Sequence, residues 1–81
     1  MPRPLRRFTR TELRRLRWGA CMNIAERNSL RADDFTAALS RATTARRRRQ
    51  LAALAWRHDK MACIAYHIAN CKVGIDFGCY L

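Results

Sequence analysis

The residues with the clearest capacity for chemistry in this chain are its arginines, four of which stand consecutively at positions 46–49. Lys and Arg together number 17 against 6 acidic residues, which gives a formal net charge of +11. A planar guanidinium binds phosphate through two parallel hydrogen bonds, so this excess indicates a polyanionic partner. We expect nucleic acid, bound mainly through its phosphates and with weak sequence specificity. A solvated basic surface is the alternative interpretation.

Most of the candidate binding cations fall into three groups along the chain, and Arg57 and Lys60 follow further along the third helix. The first is an N-terminal arm over residues 1–8, in which Pro2 and Pro4 oppose helix formation. The second is a row along one edge of the first helix, and the third opens the third helix, where the helix dipole disfavours cations. A frayed terminus and a merely solvated row are the structural alternatives. The candidate binding cations are Arg3, Arg6, Arg7, Arg10, Arg14, Arg17, Arg46, Arg47, Arg48, Arg49, Arg57 and Lys60.

Trp56 adds an aromatic ring to this set. Helical spacing places it with Cys63 and His67 on the side of the third helix that faces away from its main apolar stripe. Arg57 and Lys60 adjoin it, and an aromatic flanked by cations can stack a nucleobase or anchor a partner protein. Coverage by the first helix is equally compatible with the pattern, and we expect burial or a homodimer contact.

Cys63, His67 and Cys71 recur every four residues, a spacing that puts neighbours on one helix face as in helix-borne zinc sites. In a continuous helix the two thiols lie about 12 Å apart along the axis. A shared metal ion therefore requires the helix to end near Asn70, so that Cys79 can approach. The sequence has no Cys-x-x-Cys pair. We expect packed, reduced thiols and no cofactor, with these four residues as weak metal candidates.

The sequence shows no pattern for catalysis. It lacks a nucleophile elbow, a suitably spaced acid pair and a Gly-rich phosphate loop. His58 falls within the apolar stripe of the third helix, which predicts a hydrogen-bonded core histidine. We therefore expect a binding protein and not an enzyme.

Length and hydropathy set the class of protein. An 81-residue chain forms one domain that buries about 60% of its unfolded surface. No apolar run has the length of a membrane span, and no apolar signal region follows the N-terminus. We expect no membrane partner and a location in the bacterial or host cytoplasm, where nucleoid association is one option.

The predicted fold is all-α, a small three-helix bundle over about 9–27, 32–42 and 44–70. Thr9 and Glu12 have capping-box spacing and start the first helix, whereas Asn28 and Ser29 mark its end. Thr43 or Thr44 caps the third helix, because a break near residues 40–44 turns the apolar stripes of helices two and three inward. A single rod across residues 32–70, stabilised by dimerisation, is the alternative, as is a later helix start that leaves the arginine run in a loop.

Apolar spacing defines the packed face of the third helix. Ala62, Ala65 and Ala69 are small enough for a partner helix to approach closely, and Gly19 in the first helix suggests another close approach. The whole stripe, about 140° wide, consists of Leu51, Leu54, Ala55, His58, Met61, Ala62, Ala65, Ile68 and Ala69.

The last residues change character. Val73, Ile75 and Phe77 alternate with polar or small residues, which predicts a short extended tail over residues 72–81. Gly74 is expected to end the third helix. The tail docks on the helices or pairs with its copy in a dimer, and residues 9–81 form one helical domain.

Two further functions fit the same sequence. One is a non-enzymatic inhibitor or adaptor, of the type found in phages and mobile elements, that docks a host protein or nucleoprotein complex. Trp18, Trp56 and the apolar tail would then carry the binding. The other is a zinc-stabilised structural protein.

Overall fold

The computed structural model describes residues 2–77 of the chain, with side chains described through residue 72. It contains three α-helices, α1 (Arg10–Arg15), α2 (Trp18–Arg41) and α3 (Ala45–Phe77), and no strand among residues 2–77. The all-α, three-helix prediction is confirmed. The three residues that link α2 and α3 are too few for a crossover, so the two helices form an antiparallel hairpin. The helix boundaries, however, differ from those predicted.

α2 and α3 meet along small side chains. Their buried positions recur at alternating steps of three and four residues, the spacing of helices that pack at a shallow angle. The stripe predicted for the third helix is confirmed, and Ala62, Ala65 and Ala69 are at most 3% exposed. Buried on α2 are Cys21, Ala25, Asn28, Ala32 and Phe35, and on α3 Leu51, His58, Ala62, Ala65, Ile68 and Ala69.

The predicted break between α2 and α3 is confirmed. α2 ends at Arg41, and the Thr44 hydroxyl accepts a hydrogen bond of 3.2 Å from the backbone N–H of Arg47. This is the N-cap arrangement expected for threonine. The single-rod alternative is wrong, and the arginine run lies in the first turn of α3 instead of a loop.

The predicted turn at Asn28 and Ser29 is wrong, because α2 runs through both residues. Asn28 is 3% exposed, and its amide donates to the Ile24 carbonyl one turn earlier at 2.8 Å. That bond satisfies the polar side chain without leaving the helix. The predicted helices over 9–27 and 32–42 are therefore largely one helix.

A break that the sequence pattern did not predict separates α1 from α2 at Leu16, whose backbone is extended. The carbonyls at the end of α1 find partners outside the helix, which is what a helix terminus requires. The Leu13 carbonyl accepts from the Cys21 thiol at 3.1 Å, and the Arg14 carbonyl accepts from the Lys72 ammonium at 2.6 Å. α1 is consequently only six residues long.

The capping box at the start of α1 is confirmed. The Glu12 N–H donates to the Thr9 hydroxyl, and the Thr9 N–H donates to the Glu12 carboxylate, both at 3.1 Å. The bond from the Thr9 backbone and the neighbouring Arg6 guanidinium lower the pKa of Glu12. Residues 2–9 precede α1 without helical structure, as predicted for the arm.

Two predictions from glycine are wrong. A Cβ added at Gly19 would meet nothing within 4 Å, so no backbone approaches there. α3 continues through Gly74 to Phe77, because an interior glycine weakens a helix by only about 1 kcal/mol. The extended tail is thus wrong for residues 72–77, and the remainder of the predicted tail, with Cys79, lies outside the described residues.

Candidate functional site

The N-terminal arm is held against α3 by a clamp on the backbone of one residue, Leu5. The Leu5 N–H donates to His58 Nε2 at 2.9 Å, and the Arg57 guanidinium donates to the Leu5 carbonyl at 2.6 Å. Two consecutive residues of α3 therefore satisfy both polar groups of a residue more than 50 positions away. We call these contacts the Leu5 clamp.

The clamp fixes the arm over the middle of the hairpin. An extended chain advances about 3.3 Å per residue and a helix about 1.5 Å, so eight arm residues cover roughly sixteen residues of α3. Consistent with this ratio, Pro2 borders a pocket with Leu51, and Leu13 packs in one cluster with Ala65 and Ala69.

His58 is the buried polar centre of the clamp. It is 1% exposed, and its Nδ1 lies 2.8 Å from the Leu54 carbonyl. Because Nε2 accepts the Leu5 N–H, Nδ1 must carry the proton and donate, which is the neutral imidazole. Burial lowers the pKa of His58, and nearby arginines lower it further, against the opposing effect of the Leu54 bond. The prediction of a satisfied core histidine is confirmed.

Beside the clamp, the arm and α3 enclose an open cleft of about 500 Å³. Arg7 enters it from the arm, and Trp56, Arg57 and Lys60 enter it from α3. Apolar side chains, among them Met61, complete the lining. We call this feature the Trp56 cleft. It brings four of the predicted binding residues together.

The cleft concentrates positive charge. No carboxylate is among its lining residues in the described part of the chain. Burial lowers the pKa of Arg57, and the positive charge of Arg7 lowers it further. The guanidinium nevertheless stays protonated at neutral pH, since an arginine titrates far above that range. Like charges held together without a counter-charge favour an anionic ligand.

Trp56 is 65% exposed, so the expected burial under the first helix is wrong. The short α1 packs instead near Ala65 and Ala69, further along α3. The Lys60 ammonium lies 5.0 Å from the centroid of the Trp56 ring, within cation–π range. The homodimer contact stays a prediction.

The arginine run at the start of α3 divides by direction. At about 100° per residue, Arg46 and Arg49 project within roughly 40° of Lys60, whereas Arg47 and Arg48 project about 120° or more away from it. Of those two, Arg48 donates to the Ala42 carbonyl at 3.5 Å and Arg47 to the Gln50 side chain at 3.2 Å. Arg46, Arg49 and the Trp56 cleft thus form a basic strip about 21 Å long between positions 46 and 60.

The other two arm arginines take part in contacts within the protein, Arg6 through its side chain and Arg3 through its backbone carbonyl. Arg6 forms an exposed ion pair with Glu12 at 2.5 Å, and its guanidinium lies 4.3 Å from the Phe8 ring centroid. The Arg3 carbonyl accepts a hydrogen bond from Arg31. These contacts orient the arm so that Arg7, and not Arg6, enters the Trp56 cleft.

The predicted arginine row along the first helix is wrong as a single edge. Arg10 and Arg14 belong to α1, but Arg17 follows the break and caps α2. All three are exposed. Since α1 packs near residues 65–69 of α3, Arg10 and Arg14 lie away from the basic strip.

The metal candidates within the described residues, Cys63, His67 and Cys71, do not all converge. The Cys71 thiol is 3.8 Å from His67 Nε2. α3 continues past Asn70, which removes the helix end that a shared ion would require, and Cys63 is exposed on the same helix. Residues 2–72 contain no group of three metal-ligating side chains. Cys79 lies outside the described residues.

The sequence did not identify Leu5 and His58 as the residues that position the arm against α3. Their pairing joins an arm backbone to a helix side chain 53 residues later, and no periodicity signals such a contact. The burial of His58 was predictable, whereas its partner was not.

Comparison with known proteins adds no assignment. No protein-family model, no curated protein and no solved structure matches the chain. None of the helices within residues 2–77 is long and apolar enough to cross a membrane. The basic strip and the Trp56 cleft are therefore the features that indicate a function.

Proposed function

We propose that the protein binds nucleic acid without catalysis, chiefly through phosphate contacts along the basic strip. The observation that carries this proposal is the Trp56 cleft, where Arg7, Arg57 and Lys60 converge with no carboxylate among the lining residues. A phosphate between these cations would relieve their mutual repulsion and accept charge-assisted hydrogen bonds. A cytoplasmic, nucleoid-associated location belongs to the same proposal.

Ion pairs elsewhere in the chain support the proposal that the basic strip binds a ligand. Arg6 is paired with Glu12 and Arg31 with Asp34, so the fold does place carboxylates beside some arginines. The cleft instead holds Arg57 half-buried next to Arg7. This arrangement costs stability in the free protein, and binding of an anion offsets that cost.

The proposal predicts binding that weakens steeply with salt. Fluorescence anisotropy of labelled oligonucleotides, titrated between about 50 and 200 mM salt, should give a linear log–log plot whose slope counts the phosphates engaged. Neutralising Arg46, Arg47, Arg48 and Arg49 together should flatten that slope.

Matched double variants then apportion the effect within the run. Arg46→Ala with Arg49→Ala should reduce the magnitude of the slope by up to about 1.4 for a single strand or about 1.8 for duplex DNA. Arg47→Ala with Arg48→Ala removes the same amount of charge from residues that project away from the basic strip, and it should change the slope less. An unchanged slope in all variants, or no binding at low salt, contradicts the proposal.

A second function is favoured by apolar residues outside the cleft. Trp18 is 46% exposed and Leu30 is 66% exposed on α2, and a protein partner could cover them. The chain would then be a non-enzymatic adaptor or inhibitor whose arginines meet an acidic protein surface. Nucleic acid that persists through the first purification column favours the first proposal, and its absence at low salt favours the second.

A further inference from the structure

We propose that the Trp56 cleft stacks an unpaired base, so that the specific ligand of this protein is single-stranded nucleic acid. This inference rests on the proposed function and deepens it, because phosphate binding alone does not distinguish a single strand from a duplex. The step from phosphate to base depends on the aromatic ring and the apolar lining that stand among the cations.

The position of Trp56 suits a base. A tryptophan that is 65% exposed lies beside a cleft of about 500 Å³ with an apolar lining that includes Leu54 and Met61. That volume falls within the range of about 300–1,000 Å³ typical of small-ligand sites. The Lys60 ammonium lies over the ring, 5.0 Å from its centroid. An incoming base stacks on the part of the ring that Lys60 leaves open, or it displaces the flexible Lys60 side chain.

Base pairing decides which nucleic acid can use this ring. In a duplex the faces of the bases are stacked on one another, and only their edges reach the grooves. An exposed aromatic face is therefore usable by a base that is unpaired, as in proteins that bind single strands through aromatic platforms and basic grooves. Stacking of this kind tolerates every base, in agreement with weak sequence specificity.

The surrounding cations match the backbone on both sides of a stacked base. Along the α3 axis, Arg49 lies about 10 Å before Trp56 and Lys60 about 6 Å after it. Arg7 flanks the ring from the arm. At the axial spacing of about 3.4 Å per nucleotide that a strand has in a duplex, the basic strip of about 21 Å spans at most roughly six nucleotides, within the site sizes known for single-strand binders.

The test uses Trp56 as its own reporter. The chain has two tryptophans, so Trp18→Phe leaves Trp56 as the sole source of indole fluorescence. We expect unlabelled single-stranded DNA and RNA of about 12 nucleotides to quench this fluorescence to saturation, and duplex DNA of equal length to quench it weakly. Equal affinity for the DNA and RNA single strands indicates stacking alone, whereas a preference for one shows that the sugar is also contacted.

Variants at Trp56 separate stacking from charge. Trp56→Ala should weaken single-strand binding roughly ten- to one-hundred-fold, with little change for duplex, while Trp56→Phe should retain most of the affinity. Circular dichroism checks that each variant folds. Salt-sensitive binding that ignores both Trp56→Ala and strandedness overturns this inference but leaves the proposed function intact. Absence of binding to every oligonucleotide at low salt overturns both.

Discussion

The two faces of α3 belong to the same helix but differ in burial. One face packs Ala62, Ala65 and Ala69 into the interior, and each is at most 3% exposed. The other presents Trp56 at 65% exposure with Lys60 over its ring. The packed face is buried in the described part of the chain, whereas Trp56 and Lys60 on the open face stay exposed to solvent.

This difference separates the residues that make the structure from those available for function. The described residues span 50 × 23 × 14 Å, and α3, at about 1.5 Å per residue, runs the length of that span. So thin a hairpin buries one stripe of each helix and leaves the opposite stripe in solvent. Substitutions on the two stripes should consequently have separable effects on stability and binding.

The largest expected effect is on the packed side. Phe35 is fully buried, with its ring centroid 5.1 Å from that of His58. Phe35→Ala should lower the free energy of unfolding by about 3–5 kcal/mol, through lost burial and a residual cavity. Trp56→Ala should change it by no more than about 0.5 kcal/mol. Urea unfolding of both variants measures the two changes in the free energy of unfolding, with Phe35→Leu as a milder substitution at the buried position. Equal losses for Phe35→Ala and Trp56→Ala would contradict the distinction between the two faces.

The next effect depends on pH and tests the Leu5 clamp. Burial lowers the pKa of His58 below its ordinary value of 6.5, so the unfolded chain binds this proton more readily than the folded one. Stability is full above about pH 6.5 and should fall as the pH drops below it, by up to about 1.4 kcal/mol per unit, until the folded histidine also protonates.

His58→Gln supplies the variant for this pH test. Glutamine keeps one donor and one acceptor but does not titrate, so thermal unfolding between about pH 5 and 7 should lose this component. His67→Gln, at an exposed position of α3, is the matched control and should preserve it. A pH dependence that survives His58→Gln would locate its source elsewhere.

A smaller effect concerns the junction between the arm and α1. Thr9→Ala removes the hydroxyl that accepts the Glu12 N–H and should cost about 0.5–2 kcal/mol. Thr11→Ala, at an exposed position in the same helix, is the control. Equal melting temperatures for the two variants would mean that the capping box does not stabilise the packed region.

The smallest effect is a gain. Gly19→Ala adds a methyl group into open space and should raise the free energy of unfolding by up to about 1 kcal/mol, because alanine has the higher helix propensity. Denaturant unfolding measures the difference. A loss of stability would show that another segment packs against Gly19.

Local signals in the sequence predicted much of this fold. The capping box at Thr9, the N-cap at Thr44 and the apolar stripe around Ala65 each follow from residues close together in the chain. The break at Leu16 did not, because the carbonyls it exposes are satisfied by Cys21 and Lys72, and Lys72 is 58 residues from its acceptor. The course of α2 through Asn28 was missed for a similar reason, since a turn-forming residue is also able to hydrogen-bond within a helix.

The candidate site was predictable in part. Trp56, Arg57 and Lys60 are neighbours on one helix, so their association follows from helical spacing. Arg7 joins them because Leu5 is clamped to His58, a contact that depends on the tertiary fold. The exposure of Trp56 was also unpredictable from its spacing, because the sequence does not show that α1 stops after six residues.

The salt dependence of single-strand binding tests the role of the Trp56 cleft most directly. Arg7→Ala with Lys60→Ala removes two charges from the cleft, and Arg15→Ala with Arg27→Ala removes two exposed charges that do not line it. We predict that the cleft variant makes the log–log slope shallower by about 1.4, while the control leaves it nearly unchanged. Equal slopes in the two variants would show that the positive charge acts without a defined site.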